Sequence, residues 1–176
     1  MCAPNPKTTR AILNFIGKAV PAMAGATPAD FNASQQLFFI SEDIYNKLQK
    51  ACDKPTGKSA MSEEEKSKFW NTNNQGDHNS TFGIKVYLMH LEKFHATCGS
   101  RKGKYTATGT TVGECKLFAS LHACVLCKAD VLNDFPGVKG FYTTFLNLPK
   151  TQDIVNTGGN FGCKFGQYFL GPGQSA

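Results

Sequence analysis

The chain contains no run of five or six like charges, and its basic excess, 19 Lys and Arg against 13 Asp and Glu, is spread along its length. A nucleic-acid surface needs clustered basic charge, so no nucleic-acid partner is expected. No stretch of about 18 apolar residues is free of charge, so neither a membrane-spanning helix nor a membrane partner is expected. The seven Cys are odd in number and irregularly spaced, which does not make a disulfide framework. Cys98, Cys115, Cys124 and Cys127 fall on or beside helical patterns. Reduced, core-filling thiols in a reducing, cytoplasmic compartment are therefore expected. Strand-type alternation survives comparison with helical spacing nowhere, and no internal repeat is present. Residues 11–20 follow Lys7 and Arg10 in the outline of a signal peptide, but Asn14, Gly17 and Lys18 interrupt them, and a helix is the better reading. The sequons at Asn32 and Asn79 matter only in a secreted chain and are read as chance.

What remains is enough apolar material, including 14 Phe, for one domain with a core. The chain is organised around residues 110–132. Thr111 and Glu114 form a capping box that opens a segment apolar on nearly all sides: Val112, Cys115, Leu117, Phe118, Leu121, Cys124, Val125, Leu126, Val131 and Leu132. Such a helix must be surrounded by others. The expected class is all-α, a bundle of about six or seven helices.

The flanks supply those neighbours. Thr8 or Thr9 caps a short helix over 10–20, and residues 21–25 read as a linker. Thr27-Pro28 starts a helix of about six turns, with Phe31, Leu37, Ile40, Ile44 and Leu48 on its apolar side, ending near Cys52. Ser62 and Glu65 form a second capping box. Thr81 is expected to cap a helix over 82–97, with Ile84, Leu88, Leu91, Phe94 and Cys98 as its stripe. Pro136-Gly137 reads as a break before Val138, Phe141, Tyr142 and Phe145, and Pro149 opens a last short helix. The aromatic tail, with Phe161, Phe165, Tyr168 and Phe169, is expected to pack back on the bundle.

Three of these motifs, in this order, resemble the glutathione S-transferase family. Residues 109–118, GTTVGECKLF, are similar to its capping box and central helix, with Gly113 in place of the family's Ala and Glu114 in place of its Asp. Residues 134–149, DFPGVKGFYTTFLNLP, resemble the run that follows that helix, and residues 91–94, LEKF, resemble one that precedes it. Residues 8–17 resemble the last helix of the family's thioredoxin-like domain. The resemblance implies a division into residues 1–25, a remnant of that domain with its linker, and residues 26–176, the C-terminal helical domain. The rest of the thioredoxin-like domain, which carries the catalytic residue and most of the glutathione site, is not represented in this sequence, so the chain is expected to be inactive alone.

Under that resemblance glutathione is the co-substrate, used only with the missing domain. Thr9 keeps a hydroxyl where the family binds the γ-glutamyl end of glutathione; its other reading is a plain helix cap. Phe38, Ser41 and Tyr45 lie about a turn apart and are candidates for the wall of a pocket for a hydrophobic electrophile, or else packing and dimer-contact residues. Phe169, with Tyr168, is a candidate to close that pocket from the tail. No residue is assigned as catalytic. Cys124 and Cys127 form a C-x-x-C inside an apolar run, which reads as core thiols rather than a redox pair. His122 and Cys115 share a helix face but lack further ligands for zinc, so no metal site is expected. His78, His90 and His95 are expected to face solvent. The resemblance implies a transferase, usually dimeric, that conjugates glutathione to hydrophobic electrophiles. The alternative is a non-catalytic helical module for protein–protein assembly.

Overall fold

A computed structural model describes residues 6–52, 61–71, 83–98, 103–107 and 109–158, with side chains from residue 11 onward. Among the described residues the chain forms eight helices and no strand: α1 Pro6–Ala19, α2 Pro21–Ala24, α3 Pro28–Ala51, α4 Glu63–Asn71, α5 Ile84–Thr97, α6 Val112–Cys127, α7 Pro136–Leu146 and α8 Pro149–Thr157. None of them is long and apolar enough to cross a membrane.

The local signals explain most of these boundaries. Thr27 caps α3, its hydroxyl accepting from the Asp30 N–H at 3.1 Å, with Pro28 in the first turn where no N–H is needed. At α4, Ser62 and Glu65 make the reciprocal pair of a capping box at 2.8 and 3.3 Å. At α8, Gly158 takes the left-handed conformation (φ 82°) and donates to the Ile154 carbonyl.

Several expected boundaries move. α1 begins at Pro6, so Thr8 and Thr9 lie inside its first turn rather than capping it. The expected linker contains a helical turn, α2, that packs against α1. The cap of α5 is Gly83, not Thr81, and Thr81 itself lies outside the described residues. Pro136 does not break the chain but opens α7, since a first-turn Pro forfeits no helical hydrogen bond. The central helix ends at Cys127, where Lys128 turns extended; Val131 and Leu132 are buried in the turns that follow. The aromatic tail lies outside the described residues.

α3 and α6 form the most extensive pairing of the bundle. Polar groups tie this seam at intervals: the Gly113 N–H donates to the Ser34 hydroxyl at 3.1 Å, and the Ser120 hydroxyl donates to the Ser41 carbonyl at 3.1 Å. Lys116 pairs with Glu42 at 2.8 Å. Leu37, Ile44 and Leu48 of α3 and Leu117 and Leu121 of α6, all fully buried, belong to the same core. The expected stripe of α5 meets the same core through Ile84, Leu88 and Leu91. α7 adds Val138, Phe141, Tyr142 and Phe145, the four positions its spacing indicates.

α7 starts without a side-chain cap of its own. Glu92 of α5 supplies one, its carboxylate accepting from the Gly137 N–H at 2.8 Å and the Val138 N–H at 2.9 Å. A negative charge at a helix N-terminus is favoured by both hydrogen bonding and the helix dipole.

Candidate functional site

A buried polar cluster lies at the start of α6. Glu114 is fully buried, and its carboxylate accepts from five donors: the N–H groups of Tyr105, Thr106 and Thr111 at 3.0, 3.1 and 3.0 Å, and the hydroxyls of Thr106 and Thr111 at 2.8 and 3.3 Å. The expected capping box is present, and the same side chain also clamps the segment around Tyr105. Asp30 of α3 adds to the clamp, accepting from the Ala107 N–H at 2.8 Å. Tyr105 is fully buried under Phe94, His95 and Phe141, and its hydroxyl donates to the Leu91 carbonyl. Burial drives its phenol far above the ordinary range, so it acts only as a neutral donor. This cluster organises the fold; each acceptor is turned inward and occupied.

An open cleft suited to a ligand lies one helical face away. Cys115, Phe118 and Ala119 of α6, Phe145 of α7, and Thr151, Ile154 and Val155 of α8 enclose about 200 Å³. Its lining is almost wholly apolar, and Thr151 is the one hydroxyl side chain among those residues. It is smaller than the range of roughly 300–1,000 Å³ typical of small-molecule sites, so it fits part of an apolar ligand. The Cys115 thiol on its wall is pushed up to about 11 by burial, with the neighbouring Glu114 charge adding to the effect. At neutral pH it is a thiol and a poor nucleophile. The cleft can bind apolar matter but brings no activated group to it.

A second cleft of about 190 Å³ is lined by Asp43, Asn46, Lys47, Lys50, Met61 and Tyr87. Burial raises the Asp43 carboxyl and lowers the Lys47 ammonium, so both charges are disfavoured there.

Of the candidate pocket residues, Phe38, Ser41 and Tyr45 line neither cleft. Phe38 is 4% exposed and Ser41 fully buried, its hydroxyl donating to the Leu37 carbonyl at 2.5 Å; both are interior packing residues of α3. Tyr45 is half-buried beneath the Lys116 ammonium, which stands 4.8 Å from its ring centre. Thr9 occupies the first turn of α1, with its side chain outside the described residues, and Phe169 lies outside them altogether. The apolar cleft was missed because its walls come from three helices, and no single periodic pattern contains it.

The histidines divide. His90 is exposed as expected, but His95 is half-buried with its ring edge-on to Tyr105. His122 is buried between α6 and α7, stacked on Phe118, with Nδ1 2.9 Å from the Tyr142 hydroxyl. Among the described residues no group of three or more ligating side chains comes together as a metal site. Burial lowers the His122 pKa from its ordinary 6.5. Between the two values the unfolded chain binds more protons than the folded one, so this group's effect appears as lost stability when pH falls below about 6.5. Melting temperatures followed from about pH 7.5 to about pH 5 should therefore fall more steeply for the native chain than for His122→Phe; parallel curves would exclude His122 as a source.

No family model matches this chain, and no curated protein does. Among solved structures it is similar to prostaglandin synthase D of Nilaparvata lugens, with a TM-score of 0.58 at 14% identity. The match covers 84% of this chain and 66% of that one, so the chain spans slightly less than two thirds of the neighbour's length. At this identity the likeness shows the fold: an all-α bundle of the glutathione-transferase helical type.

Proposed function

We propose that the chain is the helical, electrophile-binding part of a glutathione-transferase-like protein, and that it conjugates glutathione to hydrophobic electrophiles only when joined to a glutathione-binding domain. The supporting observation is the motif order that resembles the family, with the Thr111–Glu114 capping box at its centre, within a bundle of the matching fold. The neighbour's name attaches prostaglandin synthesis to a protein of this fold, in keeping with an apolar substrate. In this reading the cleft between α6, α7 and α8 holds the apolar part of the electrophile, and activation of the glutathione thiol belongs to the other domain.

Calorimetry with glutathione and with an apolar electrophile such as chlorodinitrobenzene, alongside a conjugation assay, tests this reading. The expected result is saturable electrophile binding, no micromolar glutathione binding and no turnover. Ala119→Trp, which fills the cleft, should weaken the electrophile about tenfold or more, a change of about 1.4 kcal/mol. Failure of any apolar electrophile to bind would overturn the proposal, and so would turnover by this chain alone. A second reading, a non-catalytic assembly module, draws on α1, where Phe15 is 70% and Ile12 54% exposed. Binding of a protein partner that Phe15→Asp abolishes, with no electrophile bound, would favour it.

A further inference from the structure

The C-x-x-C divides by environment. Cys124 is wholly buried in the core, and burial pushes its thiol far up. Cys127 is instead the last residue of α6 and half-buried. Its sulfur lies 3.2 Å from the sulfur of Cys52, the residue that closes α3. The two cysteines are 75 residues apart in sequence and reach each other because α3 and α6 run side by side. Neither cysteine is part of a disulfide.

We propose that Cys52 and Cys127 form a site of reversible thiol oxidation, joined as a disulfide by hydroperoxides, that staples the ends of α3 and α6. The more accessible Cys127 reacts first. Its thiolate attacks one peroxide oxygen, the O–O bond breaks, and with hydrogen peroxide the leaving hydroxide takes a proton and departs as water. The Cys127 sulfenic acid is then attacked by the Cys52 sulfur; the S–S bond forms, the S–O bond breaks, and a second water leaves with the Cys52 proton. Two thiols are oxidised by two electrons and one peroxide is reduced. The sulfurs need to approach by about 1 Å to reach bonding distance, within the reach of side-chain rotation. Cys127 sits at a helix C-terminus, where the dipole disfavours a thiolate, so the reaction is slow at neutral pH and accelerates as pH rises. The consequence is stabilisation: a link across so many residues removes much of the unfolded chain's freedom.

The test is oxidation of the full chain with hydrogen peroxide followed by non-reducing peptide mapping. The expected product is a single Cys52–Cys127 linked pair, two hydrogens lighter, reversed by dithiothreitol, with Tm raised by about 5 °C or more. Cys52→Ser and Cys127→Ser should each abolish both the link and the shift in Tm, and Cys98→Ser should change neither. A Cys124–Cys127 link, or separate sulfinic acids on the two residues, would overturn the proposal. Should the serine variants fail to fold, the reduced native chain decides. A trivalent arsenical such as phenylarsine oxide should bridge Cys52 and Cys127 one to one, and a bridge at any other pair would count against the assignment.

Discussion

Gly113→Ala is expected to be the most damaging single-methyl change in the chain. A Cβ at this position would stand 2.0 Å from the Ser34 carbonyl oxygen and 2.7 Å from its carbon, both backbone atoms of α3. No side-chain rotation relieves that overlap; the two helices must part. The Gly113 N–H would then lose the Ser34 hydroxyl, and the ties at Ser120 and Lys116 further along the seam would shift as well. Overpacking usually costs about 1–3 kcal/mol, and here, with backbone on both sides, a loss of about 3 kcal/mol or more is expected. Urea unfolding provides the measurement: a midpoint shift under 1 kcal/mol would show that the seam yields. Ser34→Gly, which removes the hydroxyl but no backbone, should not rescue the variant.

Glu114→Ala is expected to cost at least as much. It removes the acceptor for five donors at once and leaves the N–H groups of Tyr105, Thr106 and Thr111 buried without a replacement carboxylate. Each unsatisfied buried group costs about 1–3 kcal/mol, but the losses overlap as the segment relaxes, so about 4 kcal/mol in total is expected. Glu114→Gln keeps the length and one oxygen, but its amide turns two donor hydrogens toward groups that are themselves donors; about half the loss should remain. Guanidinium melts of the two variants, read at unchanged m-value, check both figures. Equal stability of Glu114→Gln and the native chain would mean that the carboxylate's second oxygen contributes nothing.

These two positions also show what the sequence made legible. The capping box was readable because it is local: its members are three residues apart and their roles follow from backbone chemistry alone. The apolar stripes of α5 and α7, and that of α3 apart from Phe31, which is exposed, were readable for the same reason, through helical periodicity. The need for Gly at position 113 was not, since the clash comes from a backbone 79 residues earlier in the chain. Nor were the Glu92 cap on α7 and the contact of Cys52 with Cys127, each of which joins segments that no motif connects. Candidate pocket residues drawn from α3 spacing alone fell largely into the core, because the face they share is the face α6 covers.

The Glu92 cap has a consequence for the order of events in folding. A helix that carries its own cap can flicker into existence before the chain collapses, as α4 can with Ser62 and Glu65. α7 lacks that head start: its first two free N–H groups after Pro136 wait for a carboxylate 45 residues away. Its nucleation is thus tied to the arrival of α5, and the entropy of closing that loop is spent before the helix gains its start. This corner is expected to assemble cooperatively, with α7 forming against α5 rather than ahead of it.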